Sequence, residues 1–201
     1  MQEQKKSGLF SVQKIDENIT LARLQLPDFA TLQGISVKRE IEKSGTVFLL
    51  EKLFGEKVEL QYTAEGKPFI KGKNTNISIT HSYDKLAIIR NDKFETGIDV
   101  ELIRDKVLKI KDKFLCRAEL KTAGNNVEKL IVYWAAKETL YKMYGYIKVD
   151  FVEHLLIESF ELGTSGNLIG EIRLENFHKK VCMHYEKSED YVLVYSLNEI
   201  D

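Results

Sequence analysis

The chain has 201 residues, of which 43% are hydrophobic and 10% aromatic, a composition that excludes intrinsic disorder. Its 30 Lys and Arg residues nearly balance 31 Asp and Glu residues, and the net charge of −1 disfavours bulk nucleic acid as the main partner. No segment has the pattern of a signal peptide or a membrane-spanning helix, so we expect a cytoplasmic protein. The two cysteines, Cys116 and Cys182, have no zinc-binding spacing and are expected to be free thiols.

The first half of the chain alternates between strand and helix patterns. Residues 9–15 alternate as a strand does, and Asp16 is expected to cap a short helix that runs to Leu26 and is stopped by Pro27. Helical periodicity covers 37–54, with Gly55 at the C-cap. Further strands are predicted at 58–62, 76–81, 86–90 and 96–101, with a turn at 65–68.

The second half is predicted to contain two helices followed by strands. The helices cover 109–122 and 127–144, and the second, which Gly145 closes, has the strongest helical pattern in the chain. The strands cover 155–160, 168–174, 181–185 and 191–197.

The two long helices end alike, in Glu51-Lys-Leu-Phe-Gly55 and in Tyr141-Lys-Met-Tyr-Gly145. We therefore predict an α+β fold of two similar halves in a pseudo-two-fold arrangement, residues 1–95 and 96–201. Each half is expected to be a small, mostly antiparallel sheet packed by a long helix, with a ligand site between the halves.

Two carboxylates lie at the end of a predicted strand. Asp99 and Glu101 are two residues apart, so their side chains point to the same face of the strand. Converging carboxylates repel each other unless a cation lies between them, and Mg²⁺ prefers such oxygen ligands. The same pattern is also common at solvated strand ends, and the two residues alone leave both interpretations open.

A carboxylate and an ammonium group lie one turn apart on the strongest predicted helix. Glu138 and Lys142 have i, i+4 spacing, with Trp134 one turn earlier. As an ordinary surface pair they contribute about 0.2–0.5 kcal/mol. Their neighbours are largely apolar and aromatic, so both charged groups need partners. His81 ends another apolar strand, where a structural histidine is the ordinary interpretation.

Four motifs follow one another between residues 66 and 142. They are Gly66-Lys-Pro68, Ile77-Ser-Ile-Thr-His-Ser82, Gly97-Ile-Asp-Val-Glu101 and Trp134-Ala-Ala-Lys-Glu-Thr-Leu-Tyr-Lys142. Together with Lys113-Phe-Leu-Cys-Arg-Ala-Glu119, this ordered set resembles the 4′-phosphopantetheinyl transferase superfamily. The likeness is greatest to its larger, two-lobed type, which activates carriers such as those of surfactin synthetase.

The resemblance implies a transferase that moves the phosphopantetheine arm of coenzyme A onto a serine of an apo carrier protein. The carrier serves fatty-acid, peptide or polyketide synthesis, and adenosine 3′,5′-bisphosphate is released. By likeness to the family, Asp99, Glu101 and Glu138 hold Mg²⁺, or Mn²⁺ in its place. Glu138 is also the expected general base, and Lys142 is expected to stabilise the diphosphate as it departs.

The resemblance also implies which residues bind coenzyme A. Lys67, Thr80 and His81 match family positions that contact its phosphates. Arg39 and Lys43, beside Lys38, lie on the first long helix, where the family places cations for the 3′-phosphate. Residues 1–95 are therefore expected to contribute to coenzyme A binding, and residues 96–201 to carry the metal and catalytic groups.

Three positions depart from the commonest family residues, and none is a proposed metal ligand. Ser78 stands where the family often has Asn, Thr80 where it has Ser, and Ala135 where it has a small polar residue. Glu119 matches a family acid whose role is less settled, and we assign it only a secondary part.

A docking face for the carrier is expected on the helix predicted at 109–122. Phe114 and Leu115 supply an apolar anchor, and Lys111, Lys113 and Arg117 supply positive charge for an acidic carrier surface. The same two apolar residues are equally compatible with a place in the core.

Two other functions remain as alternatives: a module that binds coenzyme A or a carrier without turnover, and a metal-dependent nuclease. In the common nuclease arrangement the acid and the lysine lie two residues apart on a strand, whereas Glu138 and Lys142 lie four apart on a helix. A binding module has no need of both metal ligands and a base. We expect a monomer with no nucleic-acid or membrane partner.

Overall fold

The computed structural model describes residues 8–146 and 148–200, in which the strands form two antiparallel sheets. The first, called the N-terminal sheet, consists of β1 (Phe10–Lys14), β2 (Ile19–Gln25), β3 (Leu60–Tyr62), β4 (Pro68–Ile70), β5 (Asn76–Ser82) and β6 (Lys85–Asn91). Their order across the sheet is β1-β2-β6-β5-β4-β3. Helices α1 (Leu26–Gln33) and α2 (Lys38–Phe54) cover one face, where α2 buries Leu49 and Leu50.

The second, called the C-terminal sheet, consists of β7 (Ile98–Leu102), β8 (Leu155–Ile157), β9 (Ser165–Leu174), β10 (Phe177–Lys187) and β11 (Tyr191–Ile200). Their order is β7-β11-β10-β9-β8, so β7 is an edge strand. Helix α3 (Arg117–Ala123) and the long helix α4 (Val127–Tyr144) belong to this half, and α4 packs across the sheet. The predicted α+β fold with two sheet-and-helix halves is confirmed.

The two sheets pack against each other through a small core of their own. It contains Ile19, Leu21, Ala87 and Ile89 from the N-terminal sheet, and Ile98, Val100, Leu193 and Tyr195 from the C-terminal sheet. Because side chains alternate along a strand, Ile98 and Val100 of β7 face this core. Asp99 and Glu101 alternate with these two residues and therefore point to the opposite face of the strand, toward α4. Within the described residues, no helix has the length and hydropathy that a membrane span needs.

The helix predicted from Asp16 to Leu26 is wrong, because that segment forms β2 at the centre of the N-terminal sheet. Asp16 caps a turn instead, and its Oδ1 accepts hydrogen bonds from the backbone N–H groups of Asn18 and Ile19 at 2.8 Å each. Pro27 lies in the first turn of α1, where a missing N–H costs no helical hydrogen bond. Pro27 therefore lies at the start of a helix, whereas the prediction placed it at the end of one.

The helix predicted at 109–122 is wrong over most of its length. Two short 3₁₀ turns, Asp105–Lys109 and Lys111–Lys113, precede α3, which begins only at Arg117. A capping interaction fixes that start, because the Glu119 carboxylate accepts the backbone N–H of Cys116 at 2.8 Å. In contrast, α4 has the predicted bounds and ends at Gly145, whose φ of 75° is left-handed.

Candidate active site

The residue before β7 and the middle of α4 are in direct backbone contact. A Cβ atom on Gly97 would lie 2.0 Å from the backbone oxygen of Thr139, so only glycine fits at this point. The contact holds β7 against the turn of α4 that carries Glu138 and Lys142. Two motifs that are far apart in the sequence are thereby placed side by side.

Asp99 lies at the centre of this contact and is buried. Its Oδ1 accepts hydrogen bonds from Lys142 Nζ at 2.7 Å and from Thr80 Oγ1 at 3.0 Å. Its Oδ2 is buried and has no hydrogen-bond partner among the described residues. Burial raises the pKa of Asp99, and the nearby Lys142 ammonium opposes that shift.

Glu101 lies on the same face of β7 and is held by the indole of α4. Trp134 Nε1 donates a hydrogen bond to Glu101 Oε1 at 2.9 Å. Partial burial raises the pKa of Glu101, and the Asp99 charge raises it further. The Trp134 bond and the cations of Lys142 and Arg104 act in the opposite direction.

Glu138 faces the same group from the helix. Burial raises its pKa to about 7, with further contributions from the negative charges of Asp99 and Glu101, while Lys142 lowers it. Since these charges act on one another, the three carboxylates and the lysine form one electrostatic cluster. A carboxyl group with a pKa near neutrality is suited to accept and return a proton.

Two hydroxyl groups join the free edge of β7 to the N-terminal sheet. Ser78 Oγ accepts the N–H of Ile98, and Thr80 Oγ1 accepts the N–H of Val100, both at 3.2 Å. Unpaired edge N–H groups are thus satisfied by side chains of β5. Thr80 therefore touches both the β7 backbone and the Asp99 carboxylate, and its predicted contact with coenzyme A stays a prediction.

The chemistry of this cluster fits a divalent cation. Within residues 8–146 and 148–200, no three His, Cys, Asp or Glu side chains already lie in a metal-holding arrangement. The Lys142 ammonium is close to Asp99 and supplies positive charge there. Among the described residues Asp99 Oδ2 has no partner, and the negative charges of the neighbouring carboxylates add to burial in raising the pKa values of Glu101 and Glu138, which fits oxygen ligands for a cation. Convergence of the three acids on one ion stays a prediction.

A cleft of about 890 Å³ opens beside the cluster, between α2, the β3–β4 turn and the end of α4, and its lining also includes Glu42, Glu59 and Glu65. It is lined by five of the predicted site residues, namely Arg39, Lys43, Lys67, His81 and Lys142. Lys142 belongs to both the cleft and the carboxylate cluster, so it connects the two. Lys38 does not line the cleft; it forms an exposed i, i+4 pair with Glu42.

Two of the cleft residues, Lys67 and His81, already have acidic neighbours. Lys67 Nζ donates to the backbone oxygen of Met143 at 2.9 Å and pairs with Glu95. This bond links the Gly66-Lys-Pro68 turn to the C-terminal end of α4. His81 is half exposed, with Nδ1 3.5 Å from a Glu42 carboxylate oxygen. Both side chains retain access to the cleft.

Glu119 and Lys137 form an ion pair that is inaccessible to solvent. Lys137 Nζ donates to Glu119 Oε2 and to the backbone oxygen of Phe151, both at 2.7 Å. Glu119 Oε1 accepts the N–H of Ile157 at 2.8 Å. The pair ties α3, α4 and β8 together at the residue that precedes Glu138, so the secondary part assigned to Glu119 is structural support.

The expected docking face on Phe114 and Leu115 is wrong. Their side chains are 1% and 2% exposed and belong to the core around α4, where Phe114 packs edge-on against Trp134. The neighbouring cations Lys113 and Arg117 stay exposed. The apolar pair is structural, and only the charge of this segment is available to a partner.

Sequence reasoning did not assign roles to Trp134, Lys137 or Gly97, although all three lie inside the quoted motifs. Trp134 holds Glu101, Lys137 supports α4, and Gly97 allows β7 to approach the helix. The position of these three residues inside the quoted motifs was the sequence signal that could have identified them. Their partners lie 18 to 42 residues away in the chain, so spacing alone does not reveal them.

The fold and the site define an α+β protein in which a carboxylate cluster adjoins a ligand-sized cleft lined by several Lys and Arg side chains. The sequence model of the 4′-phosphopantetheinyl transferase superfamily matches residues 95–196, about half of the chain. The chain therefore belongs to that superfamily, and the resemblance of its motifs is confirmed at this level.

Curated relatives agree with this assignment. The chain is similar to the 4′-phosphopantetheinyl transferase AcpT of Salmonella typhi, with 35% identity over 89 residues. The protein of the same name from Salmonella typhimurium (strain LT2) is equally similar. In each case the match covers 43% of this chain and 46% of the relative, so it spans about half the length of these relatives.

Proposed function

We propose that this protein transfers the 4′-phosphopantetheine arm of coenzyme A to a serine of an apo carrier protein and releases adenosine 3′,5′-bisphosphate. Membership of the superfamily supports the reaction class. The observation that carries the proposal is the cluster of Asp99, Glu101, Glu138 and Lys142, in which Lys142 bonds Asp99 and also lines the cleft. Two sheet-and-helix halves in one chain further support the larger, two-lobed type.

Coenzyme A would lie in the cleft with its phosphates against the cations of both halves. His81, Lys67 and Lys142 are the proposed contacts for phosphate oxygens near the carboxylate cluster. Arg39 and Lys43 lie exposed on α2 and are the proposed contacts for the 3′-phosphate. Residues 1–95 would thus contribute most of the coenzyme A contacts, and residues 96–201 the reacting groups.

Asp99, Glu101 and Glu138 are the proposed ligands of a divalent cation, Mg²⁺ or alternatively Mn²⁺. When bound, such an ion neutralises diphosphate charge and polarises the phosphorus–oxygen bonds. The free Oδ2 of Asp99 and the hydrogen bond from Trp134 that orients Glu101 support this assignment.

Glu138 and Lys142 have different roles in the proposed reaction. The serine oxygen bonds to the phosphorus nearer the pantetheine, and the bond from that phosphorus to the bridging oxygen breaks. Glu138 accepts the serine proton, for which a pKa of about 7 is well placed. Lys142 stabilises the negative charge that develops on the departing oxygen. Because Asp99 is buried, its ion pair with Lys142 lies in a less polar environment than water, which strengthens the attraction between the two groups.

Mass spectrometry of apo carriers tests the proposal directly. Purified carriers of the fatty-acid, peptide and polyketide classes are incubated with the protein, coenzyme A and Mg²⁺, and addition of one phosphopantetheine group is expected on at least one. Asp99→Ala and Glu138→Gln are expected to abolish addition while circular dichroism shows an intact fold. Glu153→Gln, at an exposed position that is not part of the cluster, is the matched control.

Calorimetry separates transfer from binding. Lys67→Ala and His81→Ala are expected to weaken coenzyme A binding. If wild-type protein binds coenzyme A but modifies no carrier of any class, the protein is a binding module and the proposed transfer is wrong. If full transfer persists in Glu138→Gln, the reaction class stands and the assignment of the base is wrong.

A further inference from the structure

The turn between β5 and β6 presents the most exposed large hydrophobic side chain of the described residues. Tyr83 is 73% exposed and has a left-handed backbone with φ of 53°. A bulky residue adopts this conformation at an energetic cost that glycine does not have. Within residues 8–146 and 148–200, the ring has no stacking partner and the hydroxyl has no hydrogen bond. Among the described residues, the Tyr83 side chain therefore makes no stacking contact or hydrogen bond that would stabilise the fold.

The position of the turn follows from the hydroxyl contacts described above. Since Ser78 meets Ile98 and Thr80 meets Val100, β5 and β7 run side by side in the same direction. They end together, β5 at Ser82 and β7 at Leu102. Tyr83 thus follows the end of β5 where Glu101 and Leu102 end β7.

A second contact fixes the same placement from the neighbouring residue. The hydroxyl of Tyr191 donates a hydrogen bond to Asp84, and Tyr191 pairs with Leu102 in the C-terminal sheet. The ammonium of Lys85 lies 4.8 Å from the centre of the Tyr191 ring. Asp84 and Lys85 are therefore anchored to the C-terminal half, which places the backbone of Tyr83 at the end of β7 that follows Glu101.

The chain that continues from β7 is strongly basic. Between Ile103 and Arg117 there are six cationic residues and two acidic ones. Arg104 is close enough to lower the pKa of Glu101, and it is exposed, as are Lys106 and Lys109. None of these three has an ion-pair partner within 4.0 Å among the described residues. An exposed aromatic residue and an exposed basic segment thus follow the adjoining ends of β5 and β7.

We propose that Tyr83 is an anchor for the apo carrier protein, with Arg104 and Lys106 as its electrostatic rim. This inference rests on the proposed transfer, whose carrier must bring an acidic surface and a serine to the carboxylate cluster. An aromatic side chain bordered by charge is the composition typical of energetically dominant interface residues. Occupation by the carrier accounts for a strained, solvent-exposed tyrosine that supports no packing.

Kinetics with variable carrier concentration test the anchor. In Tyr83→Gly the KM for the carrier is expected to rise about tenfold. The KM for coenzyme A should stay at its wild-type value, and the unfolding midpoint should not fall, because glycine relieves the left-handed backbone. Tyr83→Phe retains the ring and is expected to retain most of the carrier affinity. Lys106→Glu is expected to raise the carrier KM, most at low salt, whereas Lys14→Glu on the outer strand β1 should not.

Distinct outcomes overturn the anchor. A carrier KM in Tyr83→Gly that stays within about twofold of wild type rules it out, and so does a markedly lower unfolding midpoint, which would make Tyr83 structural. If wild-type protein transfers nothing, the proposed function fails on its own, and binding is then followed by NMR titration of isotope-labelled apo carrier. Loss of carrier binding in Tyr83→Gly still supports the anchor, and unchanged binding refutes it.

Discussion

Glu138 should make the metal-free protein less stable as the pH rises, and replacing it with Gln should remove that loss. Its carboxyl group has a raised pKa in the folded state because it is partly buried beside Asp99 and Glu101. The folded protein therefore binds this proton more tightly than the unfolded chain does. Stability is highest below the unfolded pKa and declines as the pH rises through the folded value.

The size of the effect follows from the two pKa values. Between the ordinary value of 4.5 and the folded value of about 7, each unit changes the free energy of unfolding by about 1.4 kcal/mol. The wild-type protein should thus lose about 3 kcal/mol across that interval. Glu138→Gln is uncharged at every pH and should be more stable than wild type above neutrality. Asp99 and Glu101 have raised pKa values as well and add slope of the same sign.

Urea unfolding followed by circular dichroism, with a chelator present, measures this difference. Wild type, Glu138→Gln and the exposed-site control Glu153→Gln are compared from acidic to mildly alkaline pH. The curves of wild type and Glu138→Gln should diverge as the pH rises, while Glu153→Gln follows wild type. Parallel curves for all three proteins would refute the inference that burial and the neighbouring carboxylates raise the pKa of Glu138.

Three further variants test the structure around the site. Gly97→Ala places a Cβ against the Thr139 backbone oxygen and should cost about 3 kcal/mol or more in urea unfolding; Gly8→Ala, with open space around it, should be close to neutral. Lys137→Met leaves Glu119 buried without its cation and should cost about 3–5 kcal/mol by the same measurement, and a near-neutral result would contradict a structural pair. Thr80→Val removes the hydroxyl that bonds Asp99 and should lower kcat for transfer, whereas Thr80→Ser should retain it; equal rates in both would exclude an orienting role.

Local sequence patterns correctly predicted the helices and strands that have clear end signals or a regular pattern of apolar residues. Helix α4 is a long, largely buried helix with clear end signals at Asn126 and Gly145, so its bounds follow from the sequence. The same holds for β5 and β6, where alternation and an apolar run are unambiguous. Strand β2 was mistaken for a helix because its short apolar run fits both periods, and pairing with β1 and β6 decides between them.

The helix predicted over the segment from Lys109 to Arg117 was wrong for a different reason. Its residues favour a helix individually, but Phe114 and Leu115 are both drawn into the core around α4. Tertiary burial outweighs helix propensity there, and it also removes the expected docking anchor. The exposed tyrosine at the β5–β6 turn had no distinguishing signal in the sequence, because its left-handed backbone is visible only in the structure.

By itself, the sequence determined the class of fold, the superfamily and the shared face of Asp99 and Glu101. These features depend on residue order and on the two-residue period of a strand, which are local properties. Only the tertiary structure decided that Lys142 bonds Asp99, that Trp134 holds Glu101 and that Thr80 spans the two sheets. Those contacts join residues 19 to 43 positions apart. They form because Gly97 lets β7 touch α4, an approach set by the packing of the whole C-terminal half.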